Sequence, residues 1–512
     1  MSTNTVNNKR IAKNTLFLYV RMLIILIISL YTSRIVLNTL GVKDYGIYNI
    51  VGGIVVLFSF LNSSLASATQ RFLNFEMGRN DFERVKNVFS ASLHAHILIA
   101  VVILILCESI GLWIVSTQLN IPVERRDAAL WTYHLSIITF FISIIRIPFN
   151  ASIIASEKMN FYAYISIIEA MAKLGIVYLL LSTSIDKLIL YAILQTLVCL
   201  LITLAYINYC IRNFKYISFS FKFDKSLLKG ILSFSGWSCY GNLSNIAASQ
   251  GLNIILNLFF GVAVNAAMGI ANQVSSTVYG FVANFQTAFN PQLIKLYSSD
   301  KKEEMRLLIY RASRISFFLL LLIALPLLFN TEPVLYIWLN QAPEYTVIFC
   351  QLILIDQFFY ALSGPLWISA QASGKIAKYM IAVGNFNITT LIISYVLLKL
   401  ECPAVSVLLC KIFIDFMVYG YRIMYLKKYI DLDIRDYTCN TILPIVKVTL
   451  ISVLIPYFLN NLIEFSLLNL LIKIVITVIV TSLIILFVGL TRNERNYILK
   501  NLKNRLHINK HL

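Results

Sequence analysis

Apolar runs of roughly 20 residues recur along almost the whole chain, parted by short polar interruptions. Each is long enough to cross a hydrocarbon core of about 30 Å as a helix. The runs are continuous rather than alternating, which predicts helices and not barrel strands. In lipid, a helix meets the hydrogen-bonding needs of its backbone within its own segment. Fourteen spans are predicted, beginning near Asn14, Tyr45, Ser90, Ala128, Phe161, Leu188, Leu228, Val262, Ala312, Tyr345, Ala377, Pro403, Ile442 and Leu468. Two spans are most easily merged or missplit between Tyr345 and Leu400, where Gly364 and Pro365 interrupt one run.

Polar residues inside four spans follow helical steps. Thr132, Ser136, Thr139, Ser143, Arg146 and Asn150 form one stripe, and Ser235, Ser238, Asn242, Asn245, Ser249, Asn253 and Asn257 a second. Asn265, Gly269, Asn272, Ser276, Tyr279, Ala283, Gln286 and Asn290 keep the rhythm, as do Asp356, Tyr360, Ser363, Trp367 and Gln371. Small and polar residues are common at seams between membrane helices, so one such stripe could be simple packing. Four stripes running most of a span's length favour a polar cavity between two helix bundles, because polar side chains avoid lipid.

Composition agrees with a membrane chain: 59% of the 512 residues are hydrophobic and only 13% charged. The net charge of +19 would suit a nucleic-acid binder, but the basic residues are sorted by loop. With a cytoplasmic N-terminus, inner segments carry 31 of the 43 Lys and Arg, and outer loops only Lys43, Arg125, Arg126, Lys187 and Lys399. This is the positive-inside rule. It predicts cytoplasmic termini and explains the charge without any nucleic acid. The first apolar run is too long for a signal peptide and lacks a cleavage site, so it counts as a span. The eight cysteines show no C-x-x-C spacing and read as small core residues. His94 and His96 stand two apart on a helix and make a poor metal pair. Asp431 and Asp433 form a D-x-D in an inner loop, but no connection exceeds roughly 20 residues, leaving no room for a nucleotide-binding domain. No cofactor is expected, and the chain reads as a transporter, not an enzyme.

Seven basic residues lie within spans: Arg21, Arg34, Arg146, Lys173, Lys411, Lys447 and Lys473. Glu169 with Lys173, and Lys411 with Asp415, are i,i+4 neighbours able to neutralise each other. Arg34 and Arg146 have no acid at helical spacing, so each needs an acid on a facing helix, a lipid headgroup or an anionic ligand. Arg21 is close enough to the inner surface to snorkel. Thirteen residues separate it from Arg34, placing the two roughly 140° apart on an ideal helix. A wide cavity with guanidinium groups suits a bulky phosphate-bearing substrate.

The first and seventh spans run in the same direction, so two six-helix halves would share one topology. Leu37-Asn38 is followed by Gly41 and, 29 residues on, Gln70; Leu256-Asn257 is followed by Gly261 and, 29 on, Asn290. The expected fold is an all-α polytopic membrane protein with two pseudo-symmetric six-helix lobes, 1–211 and 228–426, joined by a cytoplasmic linker, 212–227. A loop, 427–441, leads to an additional helix pair, 442–491, and a basic cytoplasmic tail, 492–512.

The segments Asn14 to Leu23, Tyr31 to Gly53 and Ala68 to Leu73, with Phe234 to Ser238, Gln250 to Val274 and Phe285 to Tyr297, resemble bacterial polysaccharide flippases. These are the Wzx-type, O-antigen transporters of the multidrug/oligosaccharidyl-lipid/polysaccharide superfamily, which is MATE-like. The resemblance covers roughly Asn14 to Leu426. It implies two lobes around a cationic cavity that alternates in access across the bacterial cytoplasmic membrane. The implied cargo is an oligosaccharide on undecaprenyl pyrophosphate, flipped to the outer leaflet for O-antigen, capsule or related polymers, with other polysaccharide-assembly membrane proteins as partners. Arg21 and Arg34 stand where the family places first-span arginines. The stripes add Arg146, Asn150, Asn242, Asn253, Asn257, Asn272 and Asn290 as cavity candidates, and Asp356 is the candidate for ion coupling. A MATE-type multidrug or organic-cation antiporter is the alternative, and a membrane-embedded glycan polymerase or ligase the second.

Overall fold

The structure, a computed structural model, describes residues 3–56, 58–117, 121–181, 185–217, 224–339, 343–462 and 466–496. The side chain of Arg34, the linker residues 218–223 and the tail beyond 496 lie outside the described residues. All the regular structure described is helical. Eleven described helices are long and apolar enough to cross a membrane. The chain is an all-α, multi-pass membrane protein.

Helices stand at the fourteen expected places, but three are too polar or too charged to count among the eleven: the segment completed by Ser59–Gly78, Val262–Ser298, and Val405–Ile430. The second of these carries one of the polar stripes. Thr3–Val56 is one helical stretch broken at Gly41, where φ is 76°. Lys225–Phe260 and Val262–Ser298 are parted by Gly261, with φ of 77°. Only glycine takes such a conformation without a steric cost. The Gly41 and Gly261 of the sequence repeat thus make the same break at matching points.

The doubtful stretch from Tyr345 to Leu400 is two helices, and the break is not at the proline. Thr346–Ala372 runs straight through Gly364 and Pro365; the turn comes at Gly374, with φ of 74°, before Ile376–Lys399. A helical proline leaves the carbonyl four residues earlier without its donor. Here that carbonyl is Ala361 O, and Gln286 Nε2 reaches it at 3.1 Å. Gly364 makes room, since a Cβ there would stand 2.2 Å from Gln286 Oε1. One member of a polar stripe is therefore committed to repairing a helix.

Two compact units are distinguished. The first comprises Met1–Leu243, Thr287–Asp300 and Gly374–Ile381, and the second Ser244–Gln286, Lys301–Ser373 and Ala382–Leu512. In the first unit, ion pairs gather at helix ends. Arg125 grips Asp44, with Nε to Oδ1 at 2.9 Å, and also Asp186, joining three segments expected on the outer side. Glu157, its side chain 3% exposed, takes Arg10 at 3.0 Å and Lys295 at 3.1 Å, all expected on the inner side. No pair in either cluster mixes the two sides.

In the second unit the last two helices, Leu443–Leu462 and Leu467–Ile484, pack on Lys302–Phe329. Buried Arg314 donates to Asn440 O at 2.9 Å and to Glu494 at 2.6 Å, and Asn460 Nδ2 reaches Phe329 O at 2.9 Å. Asp431 of the D-x-D pairs with Lys302 at 3.0 Å, and Asp433 caps the helix that follows. Both act in the loop itself. Cys107, Cys199, Cys210 and Cys350 are buried free thiols, whereas Cys439 is exposed.

Candidate functional sites

Each unit encloses a cavity. That of the first unit is about 500 Å³ and is walled by two stripes at helical steps: Arg21, Ile25, Ile28, Thr32 and Val36 on the first helix, and Tyr162, Ser166, Glu169 and Lys173 on Met159–Leu181. Arg146 and Asn150 enter from Arg126–Ala155, and Tyr191 and Tyr206 from Lys187–Asn213. Arg21, Arg146 and Asn150 are thus brought to one place.

The partner of Arg146 is an acid on a facing helix, one of the three options open from sequence. Its Nη1 lies 3.2 Å from Glu169 Oε2, while Lys173 Nζ lies 2.9 Å from Oε1 of the same carboxylate. Arg146 also sits 5.6 Å from the Tyr206 ring, and Arg21 stands 4.7 Å over Tyr162. Among the described lining residues, Arg21, Arg146 and Lys173 stand against Glu169, a net charge of +2. Between the charges stand five tyrosines, Tyr45, Tyr48, Tyr162, Tyr191 and Tyr206, flat apolar faces with a polar edge that suit a ligand part greasy and part charged.

Only the lower end of the fourth-span stripe faces this space. Thr132, Ser136 and Ser143 return their hydroxyls to backbone carbonyls of their own helix, and Thr139 meets Thr196 Oγ1 at 2.8 Å. That upper half is a seam. Asn242 donates to Ser64 Oγ at 2.9 Å and to Ser63 Oγ at 3.2 Å, and Asn290 does not line this cavity.

The second unit's cavity is about 400 Å³, lined by Asn245, Ser249, Asn272, Tyr279, Asp356 and Lys411 among others. Asp356, 2% exposed, is not a lone acid. Lys411 Nζ contacts its Oδ2 and reaches Asp415 Oδ2 at 2.8 Å. Asn272 lines this cavity. Asn253, whose Nδ2 lies 3.4 Å from Gln250 Oε1, and Asn257 do not. Of the described candidates, Arg21, Arg146 and Asn150 line the first unit's cavity, Asn272 and Asp356 the second unit's, and Asn242, Asn253, Asn257 and Asn290 line neither.

The polar stripes of the sequence include Tyr279 and Tyr360 of the second unit's cavity but none of the first cavity's tyrosines. The steps from Tyr162 through Ser166 and Glu169 to Lys173 are as regular as those of the chosen stripes, and would have marked this helix as a wall. Tyr45 and Tyr48 also stand one helical step apart, whereas Tyr191 and Tyr206, far apart on their helix, carry no such signal.

No family model matches the chain. A Bacillus subtilis (strain 168) protein described as an uncharacterized membrane protein, EpsK, is 21% identical over 324 residues, 62% of this chain and 62% of that protein. The chain thus spans less than two thirds of that relative's length. Among solved structures, an outward-facing multidrug resistance MATE family transporter of the MOP superfamily superposes with a TM-score of 0.72, at 15% identity, over 83% of this chain and 96% of that one. A MATE mutant gives 0.73 at 14% identity, over 83% and 97%. A MOP superfamily transporter from Pyrococcus furiosus, whose binding pocket is reported as reversed in polarity, gives 0.71 at 15%, over 83% and 96%. The fold is that of the MATE-like transporters of the MOP superfamily.

Proposed function

We propose that the chain is an alternating-access transporter of this fold whose cargo is anionic and amphiphilic. The cargo class it suits best is an oligosaccharide on undecaprenyl pyrophosphate, moved from the inner to the outer leaflet of a bacterial cytoplasmic membrane for polysaccharide, O-antigen or capsule assembly. The observation that carries the reading is the first unit's cavity, where three cations face one carboxylate beside tyrosine walls. Arginine presents a fixed fork of donors that matches phosphate oxygens, and tyrosine faces suit a prenyl chain or a sugar ring. The resemblance of both halves to polysaccharide flippases points the same way. The Pyrococcus furiosus transporter, described as having a binding pocket of reverse polarity, offers a parallel.

The test is a cell lacking the gene and complemented by wild type or Arg146→Ala, at equal expression. The variant is expected to lower surface glycan and to leave lipid-linked units on the inner leaflet. Full surface glycan in the variant removes the assignment of Arg146.

The second reading is a multidrug or organic-cation antiporter. It is favoured by the multidrug MATE proteins among the structural relatives and by the carboxylates Asp356 and Asp415 lining the second unit's cavity. It predicts lower cellular accumulation of cationic drugs when the protein is present, whereas the anionic-cargo reading predicts no difference.

A further inference from the structure

The second unit holds the ingredients of a lipophilic-cation site. Asp356 on Thr346–Ala372 and Asp415 on Val405–Ile430 line its cavity of about 400 Å³. Tyr360 and Tyr279 stand beside them, with ring centroids 6.3 Å apart in an edge-to-face arrangement. Carboxylates with aromatic faces are what an organic cation requires. The volume lies within the range of about 300–1,000 Å³ usual for small-molecule sites.

One cation is already there. Lys411 Nζ contacts Asp356, lies 2.8 Å from Asp415 Oδ2 and sits 5.1 Å from the Tyr360 ring centroid. It thus meets both acids and an aromatic wall at once, as a bound ligand would. Arg422 lines a smaller adjoining void of about 20 Å³ together with Asp415. Two acids and two bases bring the local charge to zero. Asp356 nevertheless keeps a buried oxygen, Oδ1, with no hydrogen-bond partner.

We propose that Lys411 is a tethered cation filling a latent lipophilic-cation site, so that the second unit rejects cationic ligands. Discrimination of this kind is achieved by building in repulsion against the wrong ligand as much as attraction for the right one. A purely structural ion pair between two helices would need only one of the acids, and it would not need to line an open cavity. The proposal concerns the second unit alone and stands whether or not the first unit carries lipid pyrophosphate.

The experiment uses the purified full chain and radiolabelled tetraphenylphosphonium in equilibrium binding. Wild type is expected to bind weakly. Lys411→Ala, which leaves two acids beside the tyrosines, is expected to bind one cation per chain at least about tenfold more tightly. Lys411→Ala combined with Asp356→Asn should lose that gain, and Lys411→Arg should behave as wild type. Removing one partner of a buried pair can prevent folding. Lys411→Gln, which keeps a donor toward the acids, then makes the same comparison. The proposal is overturned if no folded variant gains cation binding, if wild type already binds as tightly as Lys411→Ala, or if neither neutral variant folds, which assigns the ammonium to structure alone.

Discussion

Among the described residues of the first unit's basic cavity Glu169 is the only acid, and it occupies the same donors that an incoming phosphate would use. It therefore competes with the ligand, and Glu169→Gln should tighten anion binding. A phosphate held by Arg146 and Lys173 would sit within about 7 Å of the Glu169 carboxylate. Two unit charges at that distance repel by about 2 kcal/mol at an effective dielectric near 20. The carboxylate is 20% exposed, and water at the mouth of the cavity reduces this to about 1–2 kcal/mol, or about 5–30-fold in affinity. Transport is expected to move the other way. On release, Arg146 and Lys173 regain Glu169 as a partner; without it the ligand leaves two cations with no carboxylate between them, and release slows. The assay is calorimetric titration of the purified chain with farnesyl pyrophosphate, a short-chain analogue, at two salt concentrations. Tighter binding in Glu169→Gln and weaker binding in Arg146→Ala are expected, with the gain shrinking at high salt. Weaker binding in Glu169→Gln would refute the competition and make the carboxylate part of the ligand's own contacts.

Gln286→Leu removes the donor to Ala361 O and leaves a buried carbonyl unsatisfied, a loss of about 1–3 kcal/mol. The measurement is the apparent melting temperature in detergent, and an unchanged value would mean that Pro365 needs no repair. At the helix ends of the first unit, burial pushes the Asp186 carboxyl up, but donation from Arg125 and the Ile189 and Leu188 N–H groups outweighs it and holds the pKa below its usual value. The stability this group adds is present above the unfolded pKa of about 4 and is lost as pH falls through the lower folded value. Apparent melting temperature should therefore drop below about pH 4, and less steeply in Arg125→Met.

The helices were legible because their signal is local. Twenty apolar residues in a row require a span, and a glycine at a repeat position marks where the chain breaks, as Gly41 and Gly261 do. The Gly364–Pro365 pair misleads because its remedy, Gln286, lies 79 residues away on a separate helix. The stripes are half legible for a related reason. Helical steps show which residues share a face, but not what the face meets. Thr139 finds Thr196 in a seam, while Arg146 and Asn150, on the same face, reach a cavity.

The two cavities show where reading along one helix stops. Each is built around an i,i+4 pair plain from the sequence, Glu169 with Lys173 and Lys411 with Asp415. Alone, each pair is neutral, and the character of the site comes from a third group on a facing helix. Arg146 joins the first pair and turns it cationic, an excess that Arg21 increases. Asp356 joins the second and turns it anionic, until Arg422 across the smaller void restores balance. The same local motif thus stands in a cationic site and in a charge-balanced one. Changing one facing residue, Arg146 or Asp356, shifts the charge of a site by one unit without altering the i,i+4 pair itself. The charge of such a site can therefore change with a different third partner and no new architecture.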